Sequence, residues 1–379
     1  MRRMTRFVWW SVGLSLLLGA CAPRAAVPSG PVNVAARAES AGVTAPADSD
    51  DPAVWVDPQD ASRSLVIGTR KDAGLTVFDL QGRTLQDVAP TGVRYNNVDV
   101  VYGFNLGGRA VDLAVASDRK NDRLAVYAID PVTRTLTDVS SATMPMVFTP
   151  AGAASDGANT AYGLAAYRTA DGSARVFVSQ RKHARVAEVR LVADGDRVTF
   201  APVRTVDLPA SSAENPQVEG MVVDAELGFA YLGQEQVGIW KLPLAAGTPR
   251  LMHAVKPAGA HLAADVEGLT IYRSAGGRGY LLASSQGDNT FAVFDRTGDN
   301  AFLGSFRVTG GAVDGSEACD GAVVVNANFG AAFPRGLLVV QDGENDGVKD
   351  ATNFKLVAWE DVAAPLGLRA ATDAPGVRE

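Results

Sequence analysis

Short apolar runs alternate with turn residues along nearly the whole chain from Asp48 onward. The pattern is clearest between Ala264 and Asp295, where three runs rich in Val, Ile, Leu, Tyr and Phe are separated by turn residues. Runs bounded in this way are typical of β-strands joined by hairpins, so this stretch predicts a small antiparallel sheet. No stretch of the sequence keeps a helical period for three turns, which predicts an all-β protein.

The same unit recurs along the sequence. Gln217-Val-Glu-Gly-Met repeats the opening of Asp265-Val-Glu-Gly-Leu, and similar apolar strands close each unit. One apolar residue at the equivalent position of each closing strand serves as a marker of the unit. Successive markers lie 49 to 65 residues apart, and they are Phe78, Tyr127, Val189, Trp240, Phe294 and Trp359. A period near 50 residues with about four strands per unit is typical of a β-propeller, so we predict one all-β domain with six blades of antiparallel strands. Two β-sandwiches would be the alternative, but the sequence shows no linker near its middle.

The N-terminal segment is expected to direct export. Arg2, Arg3 and Arg6 precede an apolar run from Phe7 to Leu18, which is short for a membrane span. Small residues then precede Cys21, and this order resembles a bacterial lipobox. We therefore expect a signal peptide at 1–20, a lipidated Cys21 with a flexible tether at 21–46, a propeller at 47–365 and a tail at 366–379. An ordinary secretory signal with an incidental cysteine is the alternative, and Ala22 favours the outer membrane, on its periplasmic or surface face.

Charge and cysteine content narrow the possible functions. Without residues 1–20 the chain has 32 Lys and Arg against 42 Asp and Glu, a formal charge of −10. This balance disfavours nucleic acid and anionic lipid as partners, so we expect membrane contact only through the lipid. We also expect a monomer. Cys21 and Cys319 form neither a disulfide framework nor a Cys/His metal motif, so stability must come from the core.

Charged residues recur at equivalent loop positions of the units. The acids are Asp50, Asp51, Asp99, Glu219, Glu235, Asp265, Glu267 and Asp320, and the bases are Lys71, Arg119, Arg181 and Lys182. Propeller ligands usually bind at one mouth of the channel, and gathered carboxylates repel one another unless cations neutralise them. Hard oxygen ligands favour Ca²⁺ or Mg²⁺ over Zn²⁺, and about six to eight flexible oxygens favour Ca²⁺. Arginine beside such ions favours a phosphate ester. Each residue taken singly could instead be a solvated loop charge, and Val-Glu-Gly a plain start to a strand.

Other hydrolase chemistries lack their motifs. The three histidines do not lie in the context of a phosphohistidine phosphatase, and Cys319 is not followed by the arginine of a cysteine phosphatase loop. No Gly-x-Ser-x-Gly elbow and no P-loop occurs. Water activated by a metal ion is therefore the expected nucleophile.

Several phrases together resemble the β-propeller phytases, the calcium-dependent alkaline class. They run in family order from about residue 45 to 362, and they include Asp50-Asp-Pro-Ala-Val-Trp, Tyr95-Asn-Asn-Val-Asp, Val111-Asp-Leu-Ala-Val-Ala-Ser-Asp-Arg, Tyr162-Gly-Leu, Gln217-Val-Glu-Gly-Met, Asp265-Val-Glu-Gly-Leu-Thr-Ile-Tyr, Gly279-Tyr-Leu-Leu-Ala-Ser-Ser-Gln-Gly, Asp314-Gly-Ser-Glu-Ala-Cys-Asp-Gly and Gln341-Asp-Gly-Glu-Asn.

The resemblance implies several calcium ions at the channel mouth, which bind inositol hexakisphosphate together with basic side chains. Water held by calcium would attack phosphorus directly, and the products would be inorganic phosphate and lower inositol phosphates. The implied ligands of the active calcium cluster are Asp51, Glu219, Glu235, Asp265, Glu267 and Asp320. The implied phosphate clamp is Lys71, Arg119 and Arg181, with Tyr162 and Gln286 lining the site. Asp342 and Glu344 would belong to structural calcium sites.

The sequence departs from the family in two loops. Arg181-Lys182 stands where the family often has Lys-Glu, and Ala318-Cys319 replaces polar residues in a calcium-rich loop. A calcium-stabilised propeller that binds phosphorylated ligands without turnover is therefore the first alternative function. A propeller esterase or lactonase with one central calcium is the second, although the surplus of Lys and Arg speaks against it.

Overall fold

The apolar runs of the sequence form β-strands throughout the computed structural model, which describes residues 27–371. In chain order the strands are β1 (Val32–Ala35), β2 (Ala38–Glu39), β3 (Pro52–Trp55), β4 (Leu65–Thr69), β5 (Leu75–Phe78), β6 (Thr84–Val88), β7 (Tyr95–Leu106), β8 (Arg109–Asp118), β9 (Arg123–Asp130), β10 (Thr135–Asp138), β11 (Ala161–Arg168), β12 (Ala174–Gln180), β13 (Arg185–Asp194), β14 (Arg197–Asp207), β15 (Val218–Asp224), β16 (Phe229–Gln234), β17 (Gly238–Pro243), β18 (Arg250–Ala254), β19 (Val266–Arg273), β20 (Gly279–Ser285), β21 (Thr290–Asp295), β22 (Phe302–Thr309), β23 (Ala322–Val325), β24 (Leu337–Asp342) and β25 (Asn353–Ala358). The expected sheet between Ala264 and Asp295 is confirmed as the antiparallel strands β19, β20 and β21.

Six antiparallel sheets form a ring. Consecutive groups of four strands make the first five blades, and β23, β24 and β25 begin the sixth. The first strand of each blade contacts the first strand of the next, and β23 contacts β3, so the ring is closed. The prediction of a six-bladed β-propeller with four strands per blade is confirmed. The strands predicted to close each unit are in fact the third strands of the blades. Each of them pairs with a fourth, outer strand.

The ring closes through the N-terminal segment. Strand β2 pairs antiparallel with β25 and supplies the outer strand of the sixth blade, while β1 pairs parallel with β22 of the fifth. The tether expected at 21–46 is therefore wrong for residues 32–39, because their backbone groups complete two sheets. The signal peptide and Cys21 lie outside the described residues.

The C-terminal segment also packs on the propeller. Helix α1 (Trp359–Ala363) follows β25 directly. The marker Trp359 is therefore the first residue of a helix and does not belong to a strand. Leu366 is buried, and the Tyr272 hydroxyl donates a hydrogen bond to the carbonyl of Ala371. The first residues of the expected tail, as far as Ala371, therefore pack on the propeller. Among the described residues, no helix has the length and apolar character that crossing a bilayer requires.

The core lies between adjacent blades. Strands such as β4 and β24 are buried on both faces because each blade packs between two others, so their apolar residues form continuous runs. Phe78 of the first blade meets Phe354 of the sixth edge to face, with ring centroids 6.1 Å apart. Each such buried side chain stabilises the fold by roughly 1.5–3 kcal/mol, so the blades depend on one another. The inner strands surround a central channel with a cavity of about 760 Å³.

Candidate active site

The inner strands β7, β11, β15 and β19 share an irregularity near their first residue. In each strand the register shifts after the first pair, between residues 95 and 98, 161 and 164, 218 and 221, and 266 and 269. A bulge of this kind bends the strand and redirects a side chain. The first bulged residues are Asn96, Tyr162, Glu219 and Glu267.

Glycine follows three of these four residues because the next blade approaches closely. A Cβ atom on Gly163 would lie 2.0 Å from the carbonyl oxygen of Glu219, and one on Gly220 would lie 1.3 Å from that of Glu267. A Cβ on Gly268 would lie 2.6 Å from the amide nitrogen of Ala322. The Val-Glu-Gly phrase therefore places a buried carboxylate next to the backbone contact between blades.

In two blades, a hydroxyl group at the end of the second strand connects that blade to the next one at the level of the bulges. Ser179 Oγ accepts a hydrogen bond from the amide of Gly163 at 2.8 Å and donates one to the carbonyl of Val218 at 2.5 Å. Thr69 Oγ1 makes the corresponding bonds with the amide of Asp51 and the carbonyl of Asn96. These bonds hold the bulges of successive blades at one height, so their side chains reach one rim.

Three glutamates form the centre of this rim. One carboxylate oxygen from each of Glu219, Glu235 and Glu267 lies within 4.8 Å of the others, and all three residues are buried. Glu219 Oε2 accepts a hydrogen bond from the Tyr162 hydroxyl at 2.5 Å. Glu235 accepts hydrogen bonds from Gln217 at 2.6 Å and from Asn215 at 3.0 Å. The neutral donors orient the carboxylates but supply no positive charge.

Two aspartates extend the acidic group towards the first blade. Asp50 is 1% exposed, and its Oδ2 is buried without a hydrogen-bond donor among the described residues. Asp51 Oδ2 accepts a hydrogen bond from the amide of Val98 at 3.0 Å. A buried carboxylate oxygen without a donor is costly, which favours a cation at this place.

Lys71 lies among three carboxylates at the edge of the rim. Its Nζ is 2.7 Å from Asp48 Oδ2, 3.4 Å from Asp320 Oδ2 and 3.6 Å from Asp50 Oδ1. Burial alone would lower the pKa of Lys71, but the attraction of Asp50, Asp320 and Asp48 raises that pKa above its usual range. The ammonium group therefore stays charged at the pH at which the carboxylates ionise.

Gln286 connects Asp320 to the glutamates. Its Nε2 donates to Asp320 Oδ1 at 2.7 Å and to Glu267 Oε2 at 3.1 Å. Lys71 and Gln286 therefore contact different oxygens of Asp320. This chain of contacts brings residues from the first, fifth and sixth blades together.

Arginines lie beside the glutamates, next to the residues Asn96 and Tyr162 that donate to Glu219. Arg119 donates from Nη1 to Asn96 Oδ1 at 2.8 Å, and its guanidinium carbon lies 5.5 Å from the centroid of the Tyr162 ring. Burial lowers the pKa of Arg119, and the nearby charges of Arg181 and Arg94 lower it further. Positive charge is therefore concentrated on this side, which suits an anionic ligand.

Burial raises the pKa values of several carboxyl groups in the centre. It raises the pKa of Glu219 to about 8 and that of Glu235 to about 7, with further contributions from Glu235 and Asp265 respectively. The pKa values of Asp50, Asp51 and Glu267 also lie well above their usual range, again chiefly because of burial. A cluster of hard oxygens that resists ionisation is suited to a divalent cation, and this donor set could hold one.

These pKa shifts predict how the metal-free protein responds to pH. Glu219 keeps its proton up to about pH 8 in the folded protein, while an ordinary glutamate loses it near 4.5. Because the folded state binds more protons between these values, the free energy of unfolding falls as pH rises through this window. We expect the Tm of the wild type in chelator to drop more from pH 5 to pH 8 than the Tm of Glu219→Gln. An equal drop in the two proteins would contradict the shift at Glu219.

Two candidates from the sequence, Asp99 and Lys182, lie apart from the centre, and a third, Asp265, lies at its edge. Asp99 lines the channel, where its two oxygens accept hydrogen bonds from the amides of Val100 and Ala166, and burial raises its pKa to about 6. Lys182 is exposed, and its backbone amide donates a hydrogen bond to Gln217 Oε1 at 3.0 Å. Asp265 is half-buried beside Glu235, whose pKa it raises.

Asp342 and Glu344 belong to a second acidic group near the ring closure. Asp342 is buried and lies 3.2 Å from the Nζ of Lys355, a fully buried lysine that also contacts Glu39 at 2.6 Å and Asp314. Glu344 is exposed. Burial raises the pKa of the nearby Glu317, and the charges of Asp342, Asp314 and Glu344 raise it further. The Lys355 ammonium thus neutralises part of this group, and the structural calcium role of Asp342 and Glu344 stays a prediction.

Sequence reasoning did not assign several polar residues of the centre. Asp48 contacts Lys71, Gln217 and Asn215 bind Glu235, and Asn96 binds both Glu219 and Arg119. The signal for Asn96 was its place in the repeat, because Tyr95-Asn-Asn-Val stands where other units have Val-Glu-Gly. The others lie on loops, where nothing in the sequence distinguishes them from solvated residues.

Solved structures are similar to the chain at low identity. The chain is similar to the β-propeller domain of Myceliophteria thermophila Cps50 (Swd1), with 12% identity, a TM-score of 0.44, and coverage of 81% of this chain and 82% of that chain. It is also similar to a chain of the mitotic checkpoint complex, with 12% identity, a TM-score of 0.43, and coverage of 94% and 86%. These scores are too low to carry an argument about function.

Sequence comparison is more informative. The family model described as phytase matches residues 11–375. The 3-phytase of Bacillus subtilis (strain 168) is 36% identical over 327 residues, which cover 84% of this chain and 81% of that protein. The match spans all six blades and every acid and base described above. This chain, with its rim of buried glutamates facing lysine and arginine, therefore belongs to the phytase family of enzymes.

Proposed function

We propose that the protein is a calcium-dependent phosphomonoesterase of the 3-phytase type. It would convert myo-inositol hexakisphosphate into lower inositol phosphates and inorganic phosphate. The observation that carries the proposal is the cluster of Glu219, Glu235 and Glu267 within 4.8 Å, in a chain of the phytase family. Membership in the family supports the substrate, and the carboxylate cluster supports the metal.

The residues that would hold calcium are all oxygen donors at one rim. They are Asp50, Asp51, Glu219, Glu235, Asp265, Glu267 and Asp320. When bound, calcium would neutralise the phosphate oxygens and lower the pKa of the attacking water. The unpartnered Oδ2 of Asp50 and the raised carboxyl pKa values support this assignment.

The bases would bind and orient the substrate. Lys71 contacts Asp320, and Arg119 contacts Asn96, so together they would hold phosphate groups at the rim. Arg181 adds charge beside Arg119. Tyr162 donates to Glu219 and packs against Arg119, so it would keep both groups in place. Fixed charges of this kind stabilise a phosphoryl transition state because they need little reorganisation.

The proposal predicts a strict metal requirement. We expect the protein to release phosphate from myo-inositol hexakisphosphate (phytate) when calcium is present. The release should stop in EDTA and return when calcium is added back. Full activity in EDTA would contradict the proposal. Tight calcium-dependent binding of phytate without any phosphate release would favour the alternative of a binding propeller.

We further propose that the mature protein is an exported lipoprotein anchored through Cys21. The support is the order of arginines, apolar run and small residues before Cys21. Labelled palmitate should enter the wild type when it is expressed in a bacterium, and the Cys21→Ser variant should remain unlabelled. Equal labelling of the two proteins, or none in either, would contradict the anchor.

A further inference from the structure

Asn96 lies between the acidic and the basic sides of the candidate site. It is fully buried, and it is the first bulged residue of β7. Its Nδ2 donates to Glu219 Oε1 at 2.7 Å, and its Oδ1 accepts from Arg119 Nη1 at 2.8 Å. One side-chain amide therefore contacts an implied metal ligand and an implied phosphate-binding residue.

The orientation of this amide follows from its partners. A guanidinium group can only donate hydrogen bonds, so Arg119 must face the amide oxygen. The amide nitrogen then faces Glu219, whose Oε1 accepts its hydrogen bond. The nitrogen also donates to Asn97 Oδ1 at 2.9 Å, so both of its hydrogens have an acceptor. No other standard side chain of this size offers one acceptor and two donors in a plane.

The backbone of Asn96 is held equally firmly. Its carbonyl accepts a hydrogen bond from Thr69 Oγ1 at 2.7 Å, which ties it to the first blade. Glu219 Oε2 is occupied by Tyr162, so the two donors fix the plane of the carboxylate. The remaining lone pairs of Glu219 are left for a cation that Glu235 and Glu267 would share.

We infer that Asn96 is a positioning residue that sets the carboxylate of Glu219 and the guanidinium of Arg119 relative to each other. It acts through these two residues and needs no contact with the reacting phosphate. This inference rests on the proposed phytase function, because it assigns Glu219 to the metal and Arg119 to the substrate. Partners of metal ligands typically change affinity or activity by about 10- to 100-fold when they are removed.

The test uses the full-length protein and the variants Asn96→Leu and Asn96→Ala. Leucine keeps most of the volume but forms no hydrogen bond, and alanine provides a second variant in case leucine does not fold. We expect either variant to lower kcat on phytate by about 10- to 100-fold and to weaken calcium binding, measured by calorimetry without substrate, by about tenfold. A double-mutant cycle with Arg119→Ala should be non-additive, because Asn96 acts partly through that arginine.

Asn300 provides a matched control far from the rim. It is fully buried, accepts from Lys241 Nζ at 2.8 Å, and donates to Tyr231 and to backbone carbonyls. Asn300→Ala should lower Tm while leaving kcat and calcium affinity unchanged. The inference is overturned if the Asn96 variants behave like Asn300→Ala, or if their effects add to those of Arg119→Ala. A wild type that binds calcium but releases no phosphate would refute the proposed function alone, since the calcium titration would still test Asn96.

Discussion

Replacing Glu219 by glutamine is expected to lower phosphate release from phytate by at least about a hundredfold, the scale of losing one preorganised group at a reacting centre. The change removes one negative charge from the cluster with Glu235 and Glu267. It also places an amide NH₂ where either Asn96 or Tyr162 now donates, so two donors would face each other. Steady-state kinetics with calcium at saturation would measure the loss.

Glu188 offers a closely matched control for this variant. It is a buried glutamate in the third blade that accepts a hydrogen bond from the Tyr167 hydroxyl at 2.7 Å, as Glu219 does from Tyr162. Its other partners are Arg175 and Arg204, away from the rim. Glu188→Gln should lower Tm but keep kcat near the wild-type value. Comparable kcat values for the two glutamine variants would contradict a direct role for Glu219.

Gly220→Ala is expected to have the largest effect on the fold. The added Cβ would lie 1.3 Å from the carbonyl oxygen of Glu267, and a backbone atom cannot rotate away. Overpacking usually costs about 1–3 kcal/mol, so we expect a loss in the free energy of unfolding above that range. Because the contact joins the bulges that carry Glu219 and Glu267, activity should fall with stability. Denaturant unfolding and phosphate release would measure both changes.

Gly310 is the corresponding control. No atom lies within 4 Å of a Cβ built on this residue, so Gly310→Ala should unfold at nearly the wild-type denaturant concentration. If Gly220→Ala matched Gly310→Ala in stability and in activity, the close contact between the fourth and fifth blades would be refuted.

The repeat made the ring and part of its chemistry predictable. Glu219 and Glu267 occupy the same place in two units, and that place became a bulge at the start of an inner strand. The outer strands were harder to find because edge strands such as β6 and β10 mix exposed and buried positions without clear alternation. The side chains of different units meet at one rim only because the blades form a ring, and the sequence of a single unit does not show this.

The ring closure could not be read from local pattern. Strand β2 has two residues in an Ala-rich segment, and its partner Leu356 is more than three hundred residues away from Ala38. The ion pair of Glu39 with the buried Lys355 strengthens this closure, yet both residues look like ordinary surface charges in the sequence. Similarly, Asp99 resembled a rim ligand by position, but its strand carries it into the channel wall.

X-ray diffraction from crystals grown with calcium would examine the rim most directly. We expect a calcium peak in the anomalous map bonded to oxygens of Glu219, Glu235 and Glu267 at about 2.3–2.6 Å. Crystals of an active protein in which these three carboxylates bind no ion, while calcium lies elsewhere, would contradict the assignment of this rim as the metal-dependent phosphatase centre.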